Sequence, residues 1–102
     1  MNLQTEYFIY QKIAEINSKL NPITRKFVNQ RINTITPAEL INLANQYHIP
    51  LSIEEAVNII RILRKEKINI ANKHQIMRLI KKIEKVVPPK TFKKIINLLK
   101  QF

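Results

Sequence analysis

The stretch SIEEAVNIIRILRKEK, residues Ser52–Lys67, decides the fold. At about 100° per residue, Ile53, Ala56, Val57, Ile59, Ile60, Ile62 and Leu63 cover roughly 220° of a helix surface. Only Glu54, Asn58, Arg61 and Lys65 are left as a strip for water. A helix apolar over so much of its circumference packs on both sides, so this one is expected to be the hub of an all-α domain. Ser52 and Glu55 have the spacing of a capping box at its start. Its basic end marks the point where the chain turns positive.

Upstream, Thr36-Pro37-Ala38-Glu39 is a second start signal: Thr36 caps, Pro37 suits the first helical position and Glu39 reaches back to the cap amide. Leu40, Ile41, Leu43, Ala44 and Tyr47 follow as one apolar stripe. Pro50 biases Ile49 toward extended backbone, so residues 36–66 predict helix, short extended segment, helix. Before them, Asn21-Pro22 opens a helix to about Asn33, whose Ile23, Phe27, Val28 and Ile32, with Ile35 beyond its end, spread over too broad an arc to define a packing face. The first helix spans about Leu3–Lys19. Leu3, Tyr7, Ile9, Tyr10, Ile13, Ala14, Ile16 and Leu20 are expected on its core face, Phe8 off it, and Glu15–Lys19 as a favourable (i, i+4) pair. It either packs on the core or is donated to a second copy as a dimer arm.

Downstream, Lys67–Ala71 alternates as an extended connector that buries Ile68 and Ile70. Asn72 caps a fifth helix, Lys73–Val86, and Pro88-Pro89 ends it and starts a sixth reaching Gln101. The expected whole is a single all-α domain, residues 1–102, a compact bundle of five or six short helices with residues 72–101 as a basic hairpin.

Composition excludes much. With no cysteine there are no disulfides, thiolate metal sites or thiol nucleophiles. With no glycine there is no phosphate-cradling loop or dinucleotide fingerprint. The N-terminus lacks the pattern of a signal peptide, and no apolar run approaches the ~18 residues of a membrane span. A soluble cytoplasmic protein is expected. The nineteen Ile, eleven Asn and thirteen Lys fit an AT-rich coding sequence, but the charge is not spread evenly. Residues 1–60 carry five Lys/Arg and five Glu, whereas residues 61–102 carry thirteen Lys/Arg and two Glu, which places the whole net charge of +11 in the last two-fifths of the chain. Uniform codon bias does not do that; a surface that meets something anionic does.

The fifth helix has the clearest geometry. Ile76, Leu79, Ile80, Ile83, Val86 and Val87 occupy one side, and His74, Arg78, Lys81, Lys82 and Lys85 fall within about 100° on the other. In the sixth, Phe92, Ile95, Ile96, Leu99 and Phe102 face inward while Lys90, Lys93, Lys94 and Lys100 face outward. Packed across the Pro-Pro turn, the two helices are expected to present one positive flank. Its candidate nucleic-acid-binding residues are Lys73, Arg78, Lys81, Lys82, Lys85, Lys93 and Lys94, extended by Arg61, Arg64, Lys65 and Lys67. Phosphate backbones reward such a surface through counterion release. No aromatic sits in the stripe to stack on bases, which favours backbone contact over single-strand recognition. The bland alternative is a solvated lysine-rich face or one that meets an acidic protein. An anionic membrane fits less well, because the apolar faces are committed to a core.

Neither metal binding nor catalysis is expected, and no cofactor is implied. His48 and His74 are the only histidines and there is no Asp; His48 reads as a turn residue and His74 as a first-turn polar residue. Glu54 and Glu55 favour the positive end of a helix dipole, and adjacent helical positions point about 100° apart, so they form no facing acid–base pair. Ser52 and Thr36 already cap helices.

From Phe27 onward the chain resembles a known family. The marks are Ile35-Thr36-Pro37-Ala38-Glu39-Leu40, the Gln46-Tyr47-His48-Ile49 turn, the Ile68-Asn69-Ile70 connector and the proline-to-Gln101-Phe102 tail. They are similar to small uncharacterised proteins of Bacillus-type bacteria grouped as domain of unknown function 2624. That resemblance implies no activity and no functional residues, and it leaves residues 1–22 as an added helix. The opening at Ile35–Leu40 also resembles helix–extended–helix modules of the SAP and Rho N-terminal type, several of which bind nucleic acid. Glu54 and Glu55 stand where those modules carry lysines, so the likeness implies architecture more than contact through that edge.

Overall fold

The computed structural model describes residues 1–101. Among these residues six helices follow one another: α1 (Leu3–Lys19), α2 (Pro22–Thr34), α3 (Pro37–Gln46), α4 (Ile53–Arg64), α5 (Lys73–Glu84) and α6 (Pro89–Leu99). No strand occurs among the described residues. Side chains accept from backbone amides at five of the six starts: Asn2, Asn21, Thr36, Ser52 and Asn72. At α3 and α4 the boxes are complete, with Glu39 and Glu55 returning to the Thr36 and Ser52 amides. These caps satisfy donors that a helix start otherwise leaves orphaned.

Helix α4 packs against α2, α3 and α5, and α5 packs against α1, α4 and α6. The hub is therefore a pair: α4 gathers the helices before it, and α5 gathers the two ends of the chain. Ile9 and Ile13 of α1, Ile59 of α4, Met77 of α5, Val87, and Phe92 and Ile96 of α6 form the central cluster. The radius of gyration, 13.1 Å, matches the roughly 13 Å expected of a folded 100-residue chain.

Several positions differ from the sequence expectation. On α4 only Ala56 and Ile59 are buried; Ile53 is 74% exposed, and Asn58, assigned to solvent, is half-buried. On α1, Ile9 is fully buried while Leu3 and Tyr7 are 84% and 66% exposed and Ala14 is also outside. Phe8, expected off the core face, packs against the core instead. The apolar face of α1 is thus rotated toward Phe8, Ile9 and Ile13. This makes α1 part of the core. Helix α5 ends at Glu84, two residues short of Val86, and it buries Gln75 and Met77, neither of which was assigned inward. Buried Thr91 joins Phe92 and Ile96 on α6; Phe102 lies outside the described residues.

The glycine-free turn after α3 is built on His48, whose φ is 58°. The His48 amide donates to the Asn45 carbonyl at 3.1 Å and the Ile49 amide to the Ala44 carbonyl at 2.9 Å. Those two bonds define a Schellman ending, with histidine in the left-handed position usually held by glycine. Ile49 and Ala44 are both buried, which is the apolar contact that accompanies the motif.

Candidate nucleic-acid interface

The orientation of α5 is set at its first turn. Asn72 accepts from the Gln75 amide at 3.1 Å. The Gln75 side chain, only 6% exposed, donates to Glu66 Oε1 at 2.7 Å and to the Lys67 carbonyl at 2.8 Å, and accepts from the Asn69 amide at 2.8 Å. With Gln75, Met77 and Leu79 turned inward, His74, Arg78, Lys81, Lys82 and Lys85 are all exposed. The structure therefore brings these five together on the outer side of one helix.

Carboxylates border that face. Arg78 Nη2 lies 3.1 Å from Glu66 Oε1, and Lys81 Nζ lies 2.7 Å from Glu6 Oε1 on α1. The hydrogen bond from Gln75, and then the charges of Arg78 and Lys82, hold the Glu66 carboxyl below its ordinary value. The hydrogen bond to Glu6, reinforced by the nearby Glu6, Tyr10 and Glu84, raises the Lys81 ammonium above its own. Tyr10 meets His74 edge-on, ring centres 5.7 Å apart, with its hydroxyl 3.4 Å from Nδ1.

Several of the other candidates have surroundings of their own. Arg64, expected to extend the positive flank, turns instead to the end of α2: its guanidinium donates to the Ile32 carbonyl at 3.1 Å and to the Ile35 carbonyl. A cation suits the negative end of a helix dipole, so Arg64 serves α2 as a C-terminal cap. Arg25 does the same for α1 through the Asn17 and Leu20 carbonyls. Lys67 borders a hollow shared with Lys26, Asn29 and Asn33. Although adjacent on α6, Lys93 and Lys94 front different hollows, Lys93 beside Asn2, Thr5 and Glu84 and Lys94 beside Tyr47, His48 and Asn97. Lys100 sits 5.9 Å above the Phe8 ring. Arg61, Lys65 and Lys73 are exposed. Of the flank expected from the sequence, the α5 cations share one exposed helix side, whereas Arg64 is drawn away to the end of α2.

Sequence reasoning missed the asparagines. Asn29 and Asn33, one turn apart on α2, face the extended connector. The Ile70 amide donates to Asn29 Oδ1 at 2.7 Å, and Asn33 both accepts from the Ile68 amide and donates to its carbonyl, at 2.8 and 2.9 Å. Asn17 of α1 donates to the Ile70 carbonyl at 2.8 Å. The usable signal was the (i, i+4) spacing of two amides opposite a segment that needs partners for its backbone.

The family model described as a protein of unknown function (DUF2624) matches residues 20–102. The chain belongs to this family. A relative, the uncharacterised protein YqfT of Bacillus subtilis (strain 168), is 32% identical over 78 residues, covering 76% of this chain and 93% of the relative. No solved structure matches. The family match starts at Leu20, after α1, although α1 supplies Ile9 and Ile13 to the core. Among the described residues no helix is long and apolar enough to cross a membrane, and no group of three metal-ligating side chains assembles.

Proposed function

We propose that this DUF2624 protein is non-enzymatic and binds nucleic acid through the phosphate backbone, with the outer face of α5 as its contact surface. One observation supports the reading above the others: Arg78, Lys81, Lys82 and Lys85 recur on one exposed helix face whose opposite side is locked into the core. Two of the four are held by Glu66 and Glu6, but exposed ion pairs are weak and exchangeable, so phosphate oxygens can take their place. Each cation set against a phosphate releases condensed counterions, which drives binding without base contacts.

The test is titration of fluorescent duplex DNA and duplex RNA with the full chain across a salt series. The expected result is binding at low salt whose logarithm falls linearly with log salt, by roughly 0.9 per phosphate contact on DNA. Reversing Arg78, Lys81, Lys82 and Lys85 to Glu together is expected to abolish it. Undetectable binding at low salt, or affinity unchanged by the reversal, rejects the proposal.

A further inference from the structure

On α5 alone no aromatic side chain joins the cations, but the fold packs α1 along their border. Two contacts fix that border: Glu6 reaches Lys81, and the Tyr10 ring meets the His74 ring edge-on. At about 100° per residue, Tyr10 and Tyr7 lie roughly 40° and 100° around α1 from Glu6, turning away from buried Ile9 and Ile13. Tyr7 is 66% exposed, and its hydroxyl accepts from Gln11 Nε2 at 3.0 Å. His74 is exposed, with half-buried Tyr10 bracing its ring. Aromatic rings drawn from two helices thus stand beside the row Arg78, Lys81, Lys82 and Lys85. We infer that this composite surface takes single-stranded nucleic acid, its phosphates on the α5 cations and its unpaired bases on Tyr7 and His74.

This rests on the phosphate contact proposed above and goes beyond it in naming the strandedness of the ligand. In a duplex the faces of the bases are covered by their neighbours in the stack. An unpaired base presents them, and a cationic track lined with aromatic side chains holds such strands with little regard to sequence. The rings here are already restrained, Tyr7 by Gln11 and His74 by Tyr10, so stacking on them costs little further ordering. An anionic bilayer is the competing ligand for apolar groups set beside lysines. Leu3 shares this side of α1 and is 84% exposed. The same border nevertheless carries the Glu6 carboxylate, two phenol hydroxyls and an imidazole, which lose their water on entering hydrocarbon. Flat rings with polar edges suit bases better than acyl chains.

The probes are a twelve-nucleotide thymidine strand, an abasic strand of the same length, and the thymidine strand paired with its complement, each titrated with the full chain across a salt series. The thymidine strand is expected to bind several-fold more tightly than the abasic one, and to shift the Tyr7 and His74 ring protons upfield in NMR spectra. Tyr7→Ala, at an exposed site, is expected to weaken thymidine-strand binding about fivefold or more and to leave abasic-strand and duplex binding within about twofold. Tyr7→Phe keeps the ring and is expected to keep the affinity. Equal binding of the thymidine and abasic strands, or thymidine-strand binding untouched by both Tyr7→Ala and His74→Ala, overturns the assignment of bases to these rings. The phosphate reading survives that result if binding still falls with salt and is lost on reversing Arg78, Lys81, Lys82 and Lys85. No binding of any strand or duplex overturns both. Phosphatidylglycerol vesicles are the last arm: binding to them that Tyr7→Ala removes, with strand binding unchanged, gives the rings to a lipid surface and overturns the inference.

Discussion

Asn33 clasps Ile68 from both sides, its Oδ1 taking the Ile68 amide at 2.8 Å and its Nδ2 giving to the Ile68 carbonyl at 2.9 Å. A side-chain amide thus does for the connector what a neighbouring strand does in a sheet. Asn29 and Asn17 repeat it at Ile70, and Gln75 at Lys67 and Asn69. The segment can therefore bury Ile68 to 2% exposure without orphaning its peptide groups. It joins α4 to α5, so the clasp also fixes the basic face relative to the rest of the chain.

Removing the clasp leaves both Ile68 groups without their partner. Asn33→Ala is expected to cost about 1–3 kcal/mol, lowering the melting temperature by about 4–8 °C per kcal/mol in a domain of this size. Asn33→Asp keeps the acceptor but sets a carboxylate against the Ile68 carbonyl, so it is expected to be at least as damaging at neutral pH. Hydrogen exchange at the Ile68 amide reports the loss directly. Unchanged protection in both variants contradicts the role assigned to Asn33.

The first helix makes a different prediction. Ile9 is fully buried against α5 and α6 residues, so Ile9→Ala is expected to destabilise by about 2–5 kcal/mol through lost contacts and the cavity left behind. Leu3→Ala, at a site 84% exposed, is expected to change stability by no more than about 0.5 kcal/mol. Denaturant melts of both variants decide the matter. Equal, small effects indicate that α1 is an appendage to a core that begins at α2.

The helix starts were legible because each rests on a few adjacent residues: Asn21-Pro22, the Thr36–Glu39 and Ser52–Glu55 boxes, and Asn72 act locally, and all four occur where they were expected. Facing was less legible. On α1, the apolar residues Leu3, Tyr7 and Phe8 compete for one side, and only the positions of α5 and α6 decide that Phe8 enters the core. The cationic row of α5 could be drawn from periodicity, but its borders could not, since Glu6 and Glu66 reach Lys81 and Arg78 from 75 and 12 residues away. The asparagines were hidden for another reason. An Asn-rich composition reads as codon bias until the backbone groups that those amides satisfy are brought opposite them.

The Thr36–Glu39 capping box carries a pH signature. Bonds from the Thr36 amide and hydroxyl, and then the Arg31 guanidinium, hold the Glu39 carboxyl below its ordinary 4.5; Glu66 is lowered by Gln75, Arg78 and Lys82. A carboxylate whose folded value is depressed contributes stability that is present above the unfolded value and is lost as pH falls through the folded one. Stability is therefore expected to decline as pH is lowered from about 4.5, and to decline less in Glu39→Gln. Thr36→Ala is expected to move the Glu39 carboxyl back toward 4.5 in an NMR titration. A titration identical to that of the unaltered protein removes the Thr36 hydroxyl as a cause and leaves the backbone amide of residue 36, which alanine retains.

The turn after α3 gives a prediction of opposite sign, a gain. At φ 58° His48 occupies backbone space that penalises a side chain bearing Cβ. Its ring is exposed, and the two Schellman bonds that define the turn come from the backbone amides of His48 and Ile49, so glycine preserves them. His48→Gly is thus expected to relieve roughly 1 kcal/mol of native strain, partly offset by the greater freedom of glycine in the unfolded chain. The net expectation is a small rise in melting temperature. His48→Val, β-branched and poorly suited to positive φ, is expected to fall by more than His48→Gly rises. Thermal melts of the two variants beside the unaltered protein are sufficient. If glycine lowers stability and valine does not, the histidine ring holds this turn through a contact of its own, and the left-handed backbone is not its burden.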